Sequence, residues 1–210
     1  MAKKEHIVKK YTTGKGILTG FISLQTPSTT YDKKGTYQAN ILLSKEEGEK
    51  LAEEIKKVRT EQFKTFGKGT KVADITQCVP FTTADEETGE ETPDEEGRYI
   101  FKTKASAFIE DGEIKFKPQL FDAKGKKINV GKVGEGTVAK LAVELSGYSV
   151  AGKTGVSVKL KAVQIIDLVE FGGGSAESYG FGEEEGFEGT EEVEETKAVE
   201  TAEDDEDEDF

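Results

Sequence analysis

The sequence has few of the residues that usually carry catalysis, redox chemistry or a stapled fold. Its 210 residues include one cysteine, one histidine, one methionine and no tryptophan. A single cysteine cannot close an internal disulfide, which argues against a small disulfide-rich secreted fold. The first residues include lysines but no apolar stretch behind them, so no signal peptide is predicted. No apolar run approaches the roughly 18 residues that cross a bilayer. We therefore expect a soluble, intracellular protein without a membrane partner.

Charge is distributed unevenly along the chain, although the net value is −13. Residues 172–210 contain 17 acidic residues and one base, Lys197. A second acidic block, at residues 85–97, has 8 acidic residues and no base. The rest of residues 1–171 has 28 bases and 17 acids, a net charge of +11. A basic part is thus joined to an acidic loop and an acidic tail, so the negative total does not exclude a nucleic-acid partner.

Two regions with different composition follow from this charge pattern. Residues 172–210 open with three glycines and continue mainly in Glu, Gly, Thr and Ala. Their like charges repel and their few apolar residues cannot offset the entropy of ordering the chain. We predict a folded domain at residues 1–171, with an acidic loop near residues 85–97, and a disordered acidic tail at residues 172–210.

The folded part shows mostly the period-two alternation of strands. Core positions alternate in the segments that begin at Gly16, Tyr37, Thr137 and Val156; in the last of these they are the even positions from Val156 to Leu168. Segments Arg98–Ile109 and Ile114–Phe121 flank a strong hairpin-turn dipeptide, Asp111-Gly112.

One helix interrupts the strands. Ser44 and Glu47 form a capping box, and Leu51, Ile55 and Val58 follow at helical spacing. Gly67 ends the segment, which predicts a helix at about residues 45–66. The expected fold is mainly β, a small Greek-key barrel with one inserted helix.

Residues 147–154 match the phosphate-binding pattern G-x-x-x-x-G-K-[ST]. That loop functions only between a strand and a helix, because the helix N-terminus holds the phosphates. Here the following residues alternate as a strand does, so we predict a hairpin tip at Gly152-Lys153-Thr154. Nucleotide hydrolysis is kept only as a minor alternative.

Other catalytic groupings are weak. His6 lies near the terminus and is expected on the surface. Cys78 lies beside Val79 and Phe81 and is expected to be a small buried hydrophobe. The acidic block at residues 85–97 lacks the ligand spacing of a calcium loop. We predict neither an enzyme, nor a metal site, nor a cofactor.

The basic residues include three pairs two positions apart on predicted strands, which favours a groove that follows phosphates. These pairs are Lys102 and Lys104, Lys115 and Lys117, and Lys159 and Lys161. Three aromatic residues with polar neighbours are candidates for stacking on bases: Phe21, Tyr31 and Tyr148. At the C-terminus, Asp207, Glu208, Asp209 and Phe210 form an acidic segment that ends in a ring, as a docking peptide would.

Taken in order, several segments resemble the single-stranded DNA-binding proteins of T7-like bacteriophages. They are Lys34-Gly-Thr-Tyr37, Phe101-Lys-Thr-Lys104, Phe121-Asp-Ala-Lys-Gly-Lys-Lys127, the stretch from Gly155 to Gly174, and the terminal Asp209-Phe210. The resemblance implies an OB-fold barrel that binds single-stranded DNA without sequence preference. It also implies that Tyr148 stacks on DNA and that Lys104 occupies a basic DNA-contacting position. Val150 stands where such relatives have Trp, which points to Phe21 or Tyr31 as further stacking residues.

The resemblance further implies that the tail contacts DNA polymerase and primase–helicase and competes with DNA for the basic groove. We therefore predict a single-stranded DNA-binding protein of phage replication and recombination, in the cytoplasm of the infected bacterial host. Weaker binding of duplex DNA and a homodimer are left open. The alternative from another class is a chaperone of basic proteins, in which the acidic tracts bind the client.

Overall fold

The computed structural model describes residues 6–84 and 88–170. One helix, α1, spans Lys45–Phe66 within these residues. The strands are, in chain order, Val8–Thr12 (β1), Gly16–Ser28 (β2), Thr36–Leu43 (β3), Lys71–Val72 (β4), Cys78–Pro80 (β5), Thr82–Ala84 (β6), Glu91–Pro93 (β7), Tyr99–Ser106 (β8), Ile109–Glu110 (β9), Glu113–Ile114 (β10), Gln119–Phe121 (β11), Val138–Val150 (β12) and Lys153–Asp167 (β13).

Five strands close into a barrel in the order β2, β3, β8, β13 and β12. The ring closes because β12 pairs with β13 along its length and with β2 at Val138 and Ala139. β8 and β13 are parallel and meet at a single pair, Lys104 with Lys159. Five strands in a closed Greek-key arrangement are the OB-fold architecture. The prediction of a mainly β barrel with one inserted helix is confirmed.

The barrel core follows the alternation in the sequence. On β3, Tyr37, Ala39, Ile41 and Leu43 are buried, and the intervening residues are only partly covered. α1 begins after Ser44, whose hydroxyl accepts a hydrogen bond from the Glu47 amide. The helix buries Leu51, Ile55 and Val58 in the same core. The helix prediction at about residues 45–66 is confirmed.

A β-bulge in β13 corrects the prediction for the last strand. Val156, Val158 and Leu160 are buried as expected, but beyond them Val163 and Ile165 are buried instead of the even positions. Against β12, Leu160 pairs with Val143 and Ala162 pairs with Ala142, which leaves Lys161 as an extra residue. Such an insertion reverses the phase of the side chains that follow it, here up to a second register shift opposite Val138 and Ala139.

The strands predicted around Asp111-Gly112 are also shorter than expected. Both turn residues have positive φ, 52° and 83°, as a type I′ hairpin requires. They join only the two-residue strands β9 and β10. Residues 115–118 belong to no strand, so Lys115 and Lys117 do not share a strand face.

The acidic block at residues 85–97 is not wholly a loop, because Glu91–Pro93 pairs with Thr82–Ala84 as a small hairpin. At its base, the Arg98 guanidinium donates hydrogen bonds to both carboxylate oxygens of Asp94, at 3.1 and 2.6 Å. Residues 85–87 and the predicted tail at residues 172–210 lie outside the described residues. Within residues 6–84 and 88–170, no helix combines the length and apolarity needed to cross a membrane.

Candidate nucleic-acid interface

Two adjoining clefts run along the outer face of β3, β8 and β13, with volumes of about 560 and 350 Å³. They share Lys104, Ser157 and Val158 in their linings. We call this continuous surface the groove. It lies over the place where β8 meets β13, so residues distant in sequence come together on it.

Four of the predicted lysines line the groove. Lys102 and Lys104 alternate with the buried residues Phe101 and Thr103 and therefore point outward from β8. Lys159 is the direct partner of Lys104 on β13, and Lys161 follows at the bulge. Like charges placed directly opposite one another destabilise a sheet. The fold nevertheless holds these cations together, which suits a surface that receives an anion.

One carboxylate on the neighbouring strand contacts two of these lysines. Glu144, on β12, has an oxygen 3.7 Å from Lys159 Nζ and another 3.5 Å from Lys161 Nζ. Its side chain is 20% exposed, whereas those of the two lysines are about half exposed. Glu144 was not singled out from the sequence, because its contact depends on how β12 and β13 pair.

Aromatic rings line both clefts. Tyr148 lines the larger cleft and lies against Gly155, its partner on β13. Phe108 and Phe116 line the other cleft, and Lys161 Nζ is 5.7 Å from the centroid of the Phe116 ring. That distance is within the range of a cation–π interaction. Neither phenylalanine was predicted from the sequence as a binding residue, although both flank the predicted Asp111-Gly112 turn.

Three amide side chains complete the larger cleft: Gln38, Asn40 and Gln77. Gln38 is paired with Lys104 and Asn40 with Lys102 across β3 and β8. Gln38 and Asn40 occupy outward positions of β3, between its buried residues. Amides can donate and accept hydrogen bonds with base edges or sugars. For Gln38 and Asn40, a polar side chain between buried apolar neighbours was the sequence pattern that could have identified them as outward-facing residues of this surface.

The remaining predicted DNA-binding residues lie elsewhere. Lys115 forms an ion pair with Glu113, and Lys117 lines a separate cleft with Gln25 and Lys127. Phe21 is 60% exposed and lines an apolar cleft of about 480 Å³ with Lys132 and Val133. Tyr31 is fully exposed in the loop before β3; it does not line the groove, although its neighbour Asp32 does. The predicted partner-binding segment, Asp207, Glu208, Asp209 and Phe210, lies outside the described residues.

The residues of the phosphate-loop pattern form a hairpin tip, as predicted. Ala151 and Gly152 have positive φ, 51° and 74°, and join β12 directly to β13. A strand follows Lys153, so the helix N-terminus that a phosphate loop requires is replaced by a strand.

His6 and Cys78, the other residues considered for catalysis, each contact other residues of the fold. His6 is exposed and its Nδ1 lies 2.7 Å from Gln62 Nε2. Cys78 is buried, and desolvation raises the pKa of its thiol to about 12. Among the residues that the structure describes, no group of three His, Cys, Asp or Glu side chains is placed to hold a metal ion.

The family model of the single-stranded DNA-binding protein of Enterobacter phage Enc34 matches residues 9–196 of the chain. The fold is similar to that of gp2.5, a single-stranded DNA-binding protein encoded by bacteriophage T7, with a TM-score of 0.55 at 21% identity. That match covers 88% of this chain and 100% of gp2.5. No curated protein sequence matches the chain.

A second solved structure, the bacteriophage Enc34 protein in complex with single-stranded DNA, gives a TM-score of 0.51 at 12% identity. It covers 79% of this chain and 89% of the Enc34 chain. Both solved structures, like the family model, are of single-stranded DNA-binding proteins. Because the family model spans most of the sequence, the protein belongs to the phage single-stranded DNA-binding family of which the Enc34 protein is a member.

Proposed function

We propose that the protein binds single-stranded DNA in the groove without sequence preference. The observation that carries the proposal is the grouping of Lys102, Lys104, Lys159 and Lys161 with the rings of Phe108, Phe116 and Tyr148 on one outer face. Cations that follow the backbone and rings that accept any base are the two components of nonspecific single-strand binding.

The chemistry of such binding is mainly electrostatic. Each lysine that neutralises a phosphate releases a counterion, so affinity falls as salt rises, with a slope of about −0.7 per contact on single strands. Rings that stack on unpaired bases add about 1–3 kcal/mol per base. Paired bases cannot stack on these rings, so duplex DNA is expected to bind more weakly, through its phosphates.

The test is fluorescence anisotropy of labelled oligo-dT and of a matching duplex at several salt concentrations. Replacing Lys104 by Gln should weaken binding and flatten the salt dependence. The matched control is Lys56→Gln, which removes an exposed α1 lysine outside both clefts. Equal behaviour of the two variants would contradict binding in the groove.

We further propose that residues 172–210 act as a tail that regulates access of DNA to the groove. The support is the charge difference between 17 acids with one base there and the basic remainder of the chain. Deleting the tail should tighten binding to single strands, most strongly at low salt. If neither full-length nor tail-deleted protein bound DNA, a chaperone of basic proteins would replace this proposal.

The terminal segment from Asp207 to Phe210 is proposed to dock replication partners, DNA polymerase and primase–helicase, during phage replication and recombination in the host cytoplasm. Its acids would steer the encounter and its terminal ring would fill a pocket. Removing Phe210 alone should abolish binding to these partners without changing affinity for DNA. Light scattering of the full chain would decide whether a homodimer forms.

A further inference from the structure

A second pair of lysines lies at the tip of the β12–β13 hairpin, outside the groove. Lys71 on β4 is the direct partner of Lys153, the first residue of β13, in a parallel pairing. Both side chains are exposed, and neither forms an ion pair with an acidic residue in the described part of the chain. This arrangement repeats the pairing of Lys104 with Lys159 further along the same strand.

The two lysine pairs face the same side of β13. Before the bulge at Lys161, the even positions of the strand are buried. On the opposite face, Lys153 and Lys159 are exposed, Ser157 is half-buried and Gly155 is buried against Tyr148. Lys153, Gly155, Ser157 and Lys159 therefore lie in one line on the same face of β13. Six residues of strand at about 3.3 Å each separate the two pairs by roughly 20 Å. Tyr148, which lies against Gly155, stands between them.

The tip is fixed to the rest of the fold by partly buried hydrogen bonds. The Thr154 hydroxyl lies 2.7 Å from that of Thr70 and 2.9 Å from that of Ser149. Gln62 on α1 donates a hydrogen bond to Ser149, at 3.3 Å. On the backbone, the Lys71 amide donates to the carbonyl of Gly152, at 2.8 Å. The two lysines are thus held side by side on hydrogen-bonded backbone.

Such a pair lowers the stability of the protein on its own, because like charges directly opposite one another repel. An anion bound between them removes that repulsion. We propose that Lys71 and Lys153 form a second phosphate-binding subsite, so that a single strand of DNA runs along β13 from the groove, past Tyr148, to the hairpin tip. This inference rests on the proposed function and assigns the extent and direction of the DNA path on the protein.

The experiment measures binding of labelled oligo-dT of increasing length, from about 4 to 16 nucleotides, the range covered by one OB fold. The variant is Lys71→Gln with Lys153→Gln. The matched control is Lys45→Gln with Lys56→Gln, which removes two exposed α1 lysines that form no ion pair with a described residue. Lys104→Gln serves as the groove variant.

We expect Lys104→Gln to weaken binding at every length. The tip variant should match wild type on the shortest oligonucleotides and lose affinity on the longer ones, about two- to fivefold per lysine, as exposed charge pairs do. Its salt slope should also be less steep by about 0.7 per lysine on the longer strands. This length threshold, absent from the control, supports the subsite.

A tip variant that binds like wild type at every length overturns the subsite. So does an equal loss at every length, or a loss no larger than that of the control, because either result indicates a general effect of net charge. If wild type itself binds no oligonucleotide, the proposed function fails first. Binding by wild type with an unaffected tip variant removes only the subsite.

Discussion

The ring of Tyr148 lies so close to Gly155 that no other residue fits at position 155 without displacing it. A β-carbon there would lie 2.5 Å from the phenolic oxygen and 2.6 Å from Cζ of Tyr148. The two residues are direct partners in the β12–β13 ladder. Because Gly155 has no side chain, the Tyr148 ring packs directly on the backbone at the edge of the larger cleft.

Replacing Tyr148 by Ala should weaken binding to oligo-dT by about 1–3 kcal/mol, because the stacking surface is lost. Tyr148→Phe keeps the ring and should bind nearly as wild type does. Gly155→Ala should weaken binding although it deletes nothing, since the new methyl group displaces the ring. Titrations at one salt concentration measure all three. Wild-type affinity in Gly155→Ala would contradict the prediction that the position of the Tyr148 ring on Gly155 is needed for DNA binding.

Neutralising Glu144 should strengthen DNA binding. Its carboxylate contacts both Lys159 and Lys161. DNA phosphates bound in the proposed groove would compete with it for these cations. We expect Glu144→Gln to bind about two- to fivefold more tightly, the range of an exposed ion pair. The Lys159→Gln background is the control, because the gain should shrink there. An unchanged affinity in Glu144→Gln would show that this carboxylate does not compete.

Phe108 combines an exposed ring with a positive φ of 50°, a backbone conformation that bulky residues rarely adopt. Phe108→Gly should relieve a strain of about 1–3 kcal/mol yet reduce DNA affinity, because it removes a ring from the groove. Ala151→Gly, at a φ of 51°, relieves similar strain without loss of a ring and should leave affinity unchanged. Thermal melts and titrations of both variants separate the two effects.

The contact between Asp94 and Arg98 should make stability depend on pH in the acid range. Hydrogen bonds from the Arg98 side chain and amide lower the pKa of Asp94 from 3.8 to about 2. A carboxyl with a lower pKa in the folded state stabilises the protein above its ordinary pKa and loses this contribution as pH falls from about 4 to 2. Wild type should therefore melt above Asp94→Asn at about pH 6, and the difference should close near pH 2. A constant difference would contradict the assignment.

The parts of the fold that the sequence predicts are those set by local chemistry. The period-two pattern from Tyr37 to Leu43 places one strand face in the core, and Ser44 with Glu47 marks the start of α1. The Asp111-Gly112 pair predicts its turn because few residues tolerate two successive positive φ angles. Each of these features depends on neighbours within a few residues.

Features that depend on pairing between distant segments were not predicted. The bulge at Lys161 follows from the register of β13 against β12, and the local sequence is compatible with either phase around Ala162. Phe108 and Phe116 become groove residues only because β8 lies beside β13. Their apolar character alone favours the core, and no local pattern tells on which side a loop ring lies.

The pairing of Lys104 with Lys159 is the single bridge between β8 and β13, so the barrel has few backbone hydrogen bonds at this position. In the ring, β12 and β13 pair over many residues and β3 pairs with the whole of β8. By contrast, β12 and β2 pair at two positions, and β8 and β13 meet at one bridge. The groove lies directly over this seam. A polyanion bound across both strands would contact lysines of β8 and of β13 and so oppose separation of the two strands. Occupancy of the groove and resistance of the barrel to opening are then coupled, each increasing the other.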